Sequence, residues 1–369
     1  MLGKSCQIQN QTYNGIIFPS ATPCSCCETC LRSLVAGEDC SIGLPGAPLP
    51  DAICGGGLYC KLKSGNQHPT CEPMLETSAC FKAQHKFDND LDKGLIGHLQ
   101  QRPSCDGNGF YSPIICIPGQ NCFCINESGQ RIFGNGLFKK NVNKIMTCEC
   151  SRLNNKLKEL IAQKFPYFTT RCKPDGSFEP LQCFGELCVC VDTKSGSPTS
   201  ETRNLTKGLQ DMPCYDTNIY KDPFVYTKPC DNIKQGRINN YFDAKRNGEE
   251  TVDFETDICD PDGSFVSVQQ DEVFKYCVDQ YDKRIEHFVV NRTSQAAQEM
   301  NCKCARVQKL LKDHKYLEKP QCCPNGNYKK LACRRGQCYC VDLDGKQVSI
   351  EVIDIYRHKL PCYNNECSI

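Results

Sequence analysis

The sequence predicts a string of small disulfide-rich α+β modules in tandem. Three observations carry that expectation. Cysteine supplies 33 of the 369 residues, a density at which cross-links take over from a large apolar core. The rest of the composition is poor in core material: hydrophobic residues, cysteine included, make up 39%, Trp is absent, and the mean hydropathy is −0.49. One motif recurs along the chain: a cysteine, a Gly-containing turn, an aromatic residue, a second cysteine, then Cys-x-Cys followed by an apolar residue.

Each bridge is worth about 2–4 kcal/mol, mainly by restricting the unfolded chain. Such bridges persist in oxidising compartments, so the chain is expected to be a secreted, extracellular protein. Four N-glycosylation sequons, at Asn10, Asn126, Asn204 and Asn291, agree with a glycoprotein. The net charge of +1 points to no nucleic-acid partner. No run of about 18 apolar residues suggests membrane insertion. No leader peptide is present, so the expectation is a mature chain from which one has been removed.

Cys-x-Cys steps occur at CFCI (Cys122 to Ile125), CVCV (Cys188 to Val191) and CYCV (Cys338 to Val341). Upstream, Cys105 opens CDGNGFYSPIIC, Cys172 opens CKPDGSFEPLQC and Cys323 opens CPNGNYKKLAC. Their Asp-Gly and Asn-Gly steps are hairpin-turn chemistry. Closing cysteines follow at Cys148, Cys214 and Cys362. A worn copy keeps Cys230, Cys259, Cys277 and Cys302 but places Gln270 and Lys275 where the preceding copy has Cys183 and Cys188. Spacing alone leaves fifteen pairings for six cysteines. The joint loss of two, however, predicts that the third and fourth cysteines of each copy pair with one another.

Two junctions, Cys148-Glu149-Cys150 and Cys302-Lys303-Cys304, leave one residue between copies and so no free rotation. The longer stretch from Tyr215 to Pro229 is expected to flex. Helical periodicity places Leu153, Leu157, Leu160 and Ile161 on one face, and Val307, Leu310 and Leu311 on another. Both stripes are expected to pack on the sheet of their own copy.

This order of helix, Cys, Asp-Gly-x-aromatic, Cys, Cys-x-Cys-Val and closing Cys resembles the thyroglobulin type-1 domain, from Cys80 to about Cys362. The family's usual Trp between the paired cysteines is replaced by Phe123, Val189, Tyr276 and Tyr339. The resemblance implies repeats at 79–149, 150–216, 217–303 (degenerate) and 304–369. It also implies pairing first with second, third with fourth and fifth with sixth. In repeat one that gives Cys80–Cys105, Cys116–Cys122 and Cys124–Cys148. Bridge cysteines elsewhere are Cys150, Cys172, Cys183, Cys188, Cys190 and Cys214 in repeat two, the four survivors in repeat three, and Cys333, Cys338, Cys340 and Cys362 in repeat four. The doublet Cys322-Cys323 leaves one extra cysteine, a candidate partner for Cys367.

Residues 1–78 differ. PCSCCETC at Pro23 to Cys30, Cys40, ICGGGLYC at Ile53 to Cys60, and Cys71 resemble the N-terminal domain of insulin-like growth factor binding proteins. The CxCCxxC cluster is read as bridges rather than as a metal site. The resemblance implies an insulin-like peptide as partner, with Ile42 at an apolar contact position. The short polar run Lys61 to Thr70 lacks the anchors such an interface needs.

No HExxH, P-loop or dinucleotide motif is present, so no enzyme, cofactor or metal is expected and function falls to binding. The type-1 resemblance implies inhibition of papain-like cysteine proteases by a wedge of three loops, which binds well if already ordered. In repeat four these are Tyr316 to Gln321 (with Tyr316 and Leu317), Arg334 to Gln337 (Arg334, Arg335, Gly336, Gln337) and Ile353 to Lys359 (with Tyr356 and Arg357). In repeat two they are Phe165 to Thr169, Phe184 to Leu187 (Phe184, Gly185, Glu186, Leu187) and Glu201 to Thr206. Glycans on Asn204 and Asn291 would obstruct the third loops of repeats two and three, and Asn126 lies beside CFCI. Repeat four has no sequon and is the expected inhibitory unit. A basic set, Lys309, Lys312, Lys315, Lys329 and Lys330, is a candidate site for sulfated glycans, or a complement to the acidic stretch of repeat three.

Overall fold

In the computed structural model the chain forms an N-terminal cystine-bridged sheet region followed by four small units. The structure describes residues 4–8, 11–18, 29–42, 50–55, 57–62, 68–73, 78–106, 108–161, 170–249, 259–364 and 367. Asn10, the CxCC part of the N-terminal cluster and the loop 165–169 lie outside them.

The first region has a four-stranded sheet, Lys4–Ile8, Gln11–Phe18, Thr29–Leu34 and Ala52–Cys54, whose last pair is parallel. A hairpin, Leu58–Lys61 with Thr70–Pro73, follows. Cys40–Cys60 and Cys54–Cys71 fasten it. Tyr59 lies against Phe81 at 4.5 Å between ring centroids, joining the hairpin to the first helix of the next unit.

Each of the four units begins with a helix: Ala79–Asp92, Glu149–Ile161, Pro229–Arg246 and Lys303–Asp313. A cysteine in its first turn is bridged to the turn before the sheet, as Cys80–Cys105, Cys150–Cys172, Cys230–Cys259 and Cys304–Cys322. Three antiparallel strands follow in sequence order in every unit. Cys116–Cys122, Cys183–Cys188 and Cys333–Cys338 join residues directly opposite on the first two strands. In the third unit the opposed residues are Gln270 and Lys275, as the joint loss of two cysteines predicts. The closing bridges are Cys124–Cys148, Cys190–Cys214, Cys277–Cys302 and Cys340–Cys362.

Three expectations need correction. The second cysteine of the last unit is Cys322, not Cys323. Cys322 bridges to Cys304 and pairs with Tyr328 as Cys172 pairs with Phe178, while Cys323 is tied to Cys367. The stretch after Tyr215 is docked rather than loose. Tyr220 is buried with its hydroxyl donating to Glu179 Oε1 at 2.7 Å, and Tyr226 donates to the Leu181 carbonyl at 3.0 Å. In the second helix Leu153 is exposed. The inward face is Cys150, Ser151 and Asn154, and Asn154 clamps Thr170 by donating to its carbonyl and accepting from its amide. A bridge and a polar clamp take the place expected of Leu153; Leu157 is half-buried, and the side chains of Leu160 and Ile161 lie outside the described residues. In the fourth helix Val307 and Leu311 are fully buried, as periodicity predicts, with Cys304 and Ala305 beside them.

The units close into a ring. Arg152, on the second helix, donates to the Ile125 and Tyr111 carbonyls of unit one. Units two and three are joined by Arg171–Asp231 at 2.7 Å and Lys228–Glu179 at 2.9 Å. Burial alone would lower the Arg171 pKa, but Asp231 beside it prevails and holds it above its usual value. Arg306 on the fourth helix donates to the Val278 carbonyl and pairs with Asp260. Finally unit four meets unit one. The Leu99 amide donates to Gln347 Oε1 at 2.9 Å, the His98 amide to Glu351 Oε1 at 2.6 Å, and Leu99 and Leu137 pack on the core around Val307, Tyr328 and Tyr339.

Candidate functional site

The same edge is built in each unit, where the turn between the first two strands meets the chain leaving the third. A turn carbonyl accepts an amide from that third segment each time: Gln120 from Phe138, Glu186 from Leu205, Val273 from Arg292 and Gly336 from Asp354. What differs is how much of the edge is free.

In unit four three loops come together. Glu318 of the first loop accepts from Arg334 Nε at 2.5 Å and Arg335 Nε at 2.9 Å of the second. Those guanidinium hydrogen bonds, Arg335 first, hold the Glu318 carboxyl below its ordinary range. The second loop is a two-residue turn with Arg335 at φ 51° and Gly336 at φ 79°. Both positive angles fit the twist of a hairpin. Gln337 pairs with Ile353, and the third loop then coils as a 3-10 turn, Asp354–Lys359. Arg357 pairs with Asp354 at 3.2 Å, and Lys359 lies over the Tyr356 ring. The resulting tip is apolar at its two flanks: Leu317 is 97% and Ile355 71% exposed. Tyr316, at the start of the first loop, is half-buried and packs on the unit's own core.

In unit two Phe184 and Leu187 are exposed on the turn, with Gly185 and Glu186 between them. Asn204 sits in the third segment, opposite Leu187. Its side-chain oxygen accepts from the amide and hydroxyl of Thr206. Asn291 and Thr293 repeat this arrangement in unit three, and Asn126 and Ser128 a similar one in unit one. In unit one the turn is covered. Ile117 is 5% exposed, and the Pro118 carbonyl accepts from Arg334 Nη1 of unit four.

Among the other residues singled out by sequence, Ile42 is exposed next to Cys40. Lys309 pairs with Asp313 at 2.6 Å, and most of the acidic stretch of unit three, residues 250–258, lies outside the described residues. Lys312, Lys315 and Lys330 are exposed and Lys329 is half-buried. The one described ion pair from unit three's acidic stretch to the fourth helix is Asp260–Arg306.

The thyroglobulin type-1 repeat profile matches residues 80–143, 148–211 and 295–351, together half of the chain. The chain belongs to the thyroglobulin type-1 repeat family. It is 29% identical over 105 residues to thyroglobulin of Bos taurus and 31% identical over 93 residues to that of Rattus norvegicus. Those stretches cover 28% and 25% of this chain but only 4% and 3% of thyroglobulin. It is also 32% identical over 114 residues to U20-hexatoxin-Hi1a of Hadronyche infensa, covering 29% of this chain and 68% of the toxin. The type-1 profile thus falls on units one and two and, from residue 295 to 351, on the end of unit three and most of unit four. No described helix is long and apolar enough to cross a membrane.

Proposed function

We propose that this protein acts outside the cell as a non-enzymatic inhibitor of papain-like cysteine proteases, with the edge of repeat four as the inserting wedge. The observation that carries the reading is the joining of Glu318, Arg334 and Arg335 across two loops, with Leu317 and Ile355 left bare beside them. A tip already held in one shape loses little conformational freedom on entering a cleft. Bare aliphatic side chains at its flanks supply the apolar contact area that anchors most interfaces. The extracellular setting is supported by the density of bridges.

Residues 217–303 are read as a further type-1 repeat that lost its middle bridge. The helix, the two remaining bridges and the three-stranded sheet support this. Residues 1–78 are read as a module like that of insulin-like growth factor binding proteins. The exposed Ile42 beside the Cys40–Cys60 bridge supports peptide capture as a second reading.

Titration of the full, oxidised chain against papain and a cathepsin L-type enzyme tests the first reading. Stoichiometric, sub-micromolar inhibition is expected, weakened by about 100-fold in Ile355→Asp, which puts an unpaired charge into the contact. Failure of the wild-type chain to inhibit either enzyme excludes it.

A further inference from the structure

We propose that closure of the ring makes repeat one a built-in buttress of the repeat-four wedge, with Arg334 as the positioning residue. The inference rests on the protease reading but goes beyond it: the inhibitory element is not repeat four alone but repeats four and one together.

Arg334 is the hub. Its guanidinium holds Glu318 of the first loop through Nε, and donates through Nη1 to the Pro118 carbonyl of repeat one at 3.2 Å. Gly119 lies directly against it: a Cβ there would stand 2.8 Å from Nη2. One planar group therefore spans the first loop, the second loop and the neighbouring repeat. A guanidinium fixed on two sides loses less freedom per hydrogen bond than a free one.

The third loop is gripped as well. Glu351, just before the strand Val352–Ile353, accepts from the His98 amide and pairs with its ring at 3.1 Å. Gln347 accepts from the Leu99 amide. Repeat one thus touches the wedge at the base of its second loop and at the approach to its third.

Repeat two supplies an internal contrast. Its turn, residues 184–187, is exposed throughout, and among the described residues the hydrogen bonds that reach it from outside the hairpin come from its own third segment, at Asn204 and Leu205. A wedge standing alone pays the ordering of its loops at the moment of binding, about 0.5–1.5 kcal/mol per immobilised side chain. In repeat four, contacts from elsewhere in the chain meet that requirement beforehand. The same contacts cover the turn of repeat one, so repeat one gives up its own edge to support another.

The test uses the full chain with Leu99→Glu, which places a charge in the packed contact between repeats one and four without touching the three loops. Amide exchange at Asp354 and Gln337 is followed in the free protein, and association and dissociation rates with papain are measured in parallel. The variant should keep its bridges and its circular dichroism. Its loop amides should exchange about tenfold faster and inhibition should weaken by about tenfold, with the loss mainly in the association rate. If Leu99→Glu does not fold, Glu351→Ala, outside the three loops, gives the same comparison. Unchanged exchange in the folded variant overturns the buttress, whatever the protease result. Faster exchange together with an inactive wild-type chain keeps the buttress and removes the protease reading instead.

Discussion

Arg152 and Arg306 occupy the same place in two different junctions. Each follows a cysteine held in the left-handed conformation, Cys148 at φ 63° and Cys302 at φ 56°. Each donates its backbone amide to that cysteine's carbonyl. Each then reaches back into the preceding unit, Arg152 to the Ile125 and Tyr111 carbonyls, Arg306 to those of Val278 and Phe265. The turn glycine of the following repeat closes the joint. A Cβ on Gly176 would collide with Cys124 Sγ, and one on Gly326 with Cys277 Sγ. Units one and two are therefore coupled in the same way as units three and four.

Removal of either arginine should loosen its joint, and not equally. Arg306→Met strips the donor from buried carbonyls and leaves Asp260 without its cation. Arg152→Met strands carbonyls only. The expected losses are about 3–5 kcal/mol for the first and about 2–3 kcal/mol for the second. Chemical denaturation of the two variants checks the order. Equal losses would mean that the carboxylate adds nothing to the joint.

Asp260 itself predicts a pH dependence. Burial pushes its carboxyl up to about 6, against the pull of Arg306, with Asp262 adding to the rise. A carboxyl whose folded value stands above its unfolded value near 3.9 binds its proton more tightly in the folded state. Its contribution favours folding below about pH 4 and is withdrawn as the pH rises through about 6. Asp260→Asn removes this component. Between pH 4 and pH 7 the wild type should therefore lose stability relative to the variant, on the order of 1–3 kcal/mol. Urea unfolding of both proteins at pH 4, 5.5 and 7 reads it directly, and a pH-independent difference would falsify the assignment.

The stretch between units two and three gives a third expectation. Tyr220 lies in the buried cluster with Glu179, Tyr226 and Arg171, where burial drives its hydroxyl pKa well above the usual value. Tyr220→Phe removes the donor to Glu179 Oε1 while Lys228 keeps Oε2. About 1–2 kcal/mol should be lost. Limited proteolysis should cut within residues 215–228 in the variant, while the wild type should resist cleavage there. Resistance in the variant would show that the aromatic stack alone holds the segment.

Much of this architecture was legible in the cysteines, because a bridge requires its partners at near-fixed local spacing. The pairing of Cys183 with Cys188 could be read from the simultaneous absence of cysteine at Gln270 and Lys275. The register at Cys322-Cys323 was misread, although a signal existed. Cys105, Cys172 and Cys259 each pair with the aromatic at a constant step, Tyr111, Phe178 and Phe265, and that step from Tyr328 leads back to Cys322. At the start of the second helix the period misled, because Leu153 has the right spacing yet the inward face there is set by Cys150 and Asn154. Ring closure left no trace in the sequence. His98 and Glu351, or Arg334 and Pro118, belong to no shared period, and their meeting depends on the accumulated rotation through three junctions.

The missing bridge of repeat three offers the most direct test of the repeat reading. Gln270 and Lys275 face each other across the hairpin, in the register that Cys183 and Cys188 hold in repeat two and Cys333 and Cys338 in repeat four. In those repeats the bridged Cα atoms stand 4.0 Å apart. If residues 217–303 are a type-1 repeat that lost both cysteines together, its backbone should still accept the bridge. The double variant Gln270→Cys/Lys275→Cys should oxidise without added free thiol. The closed loop is short, so the gain should be small, about 1–2 kcal/mol. Either single variant should instead leave one thiol open to alkylation, with no gain in stability. Thiol counting by mass after alkylation, with thermal melts of the three variants, decides the matter. Two free thiols in the double variant would mean that the hairpin has drifted from the type-1 register, and the segment would then be better described as an insertion between repeats than as one of them.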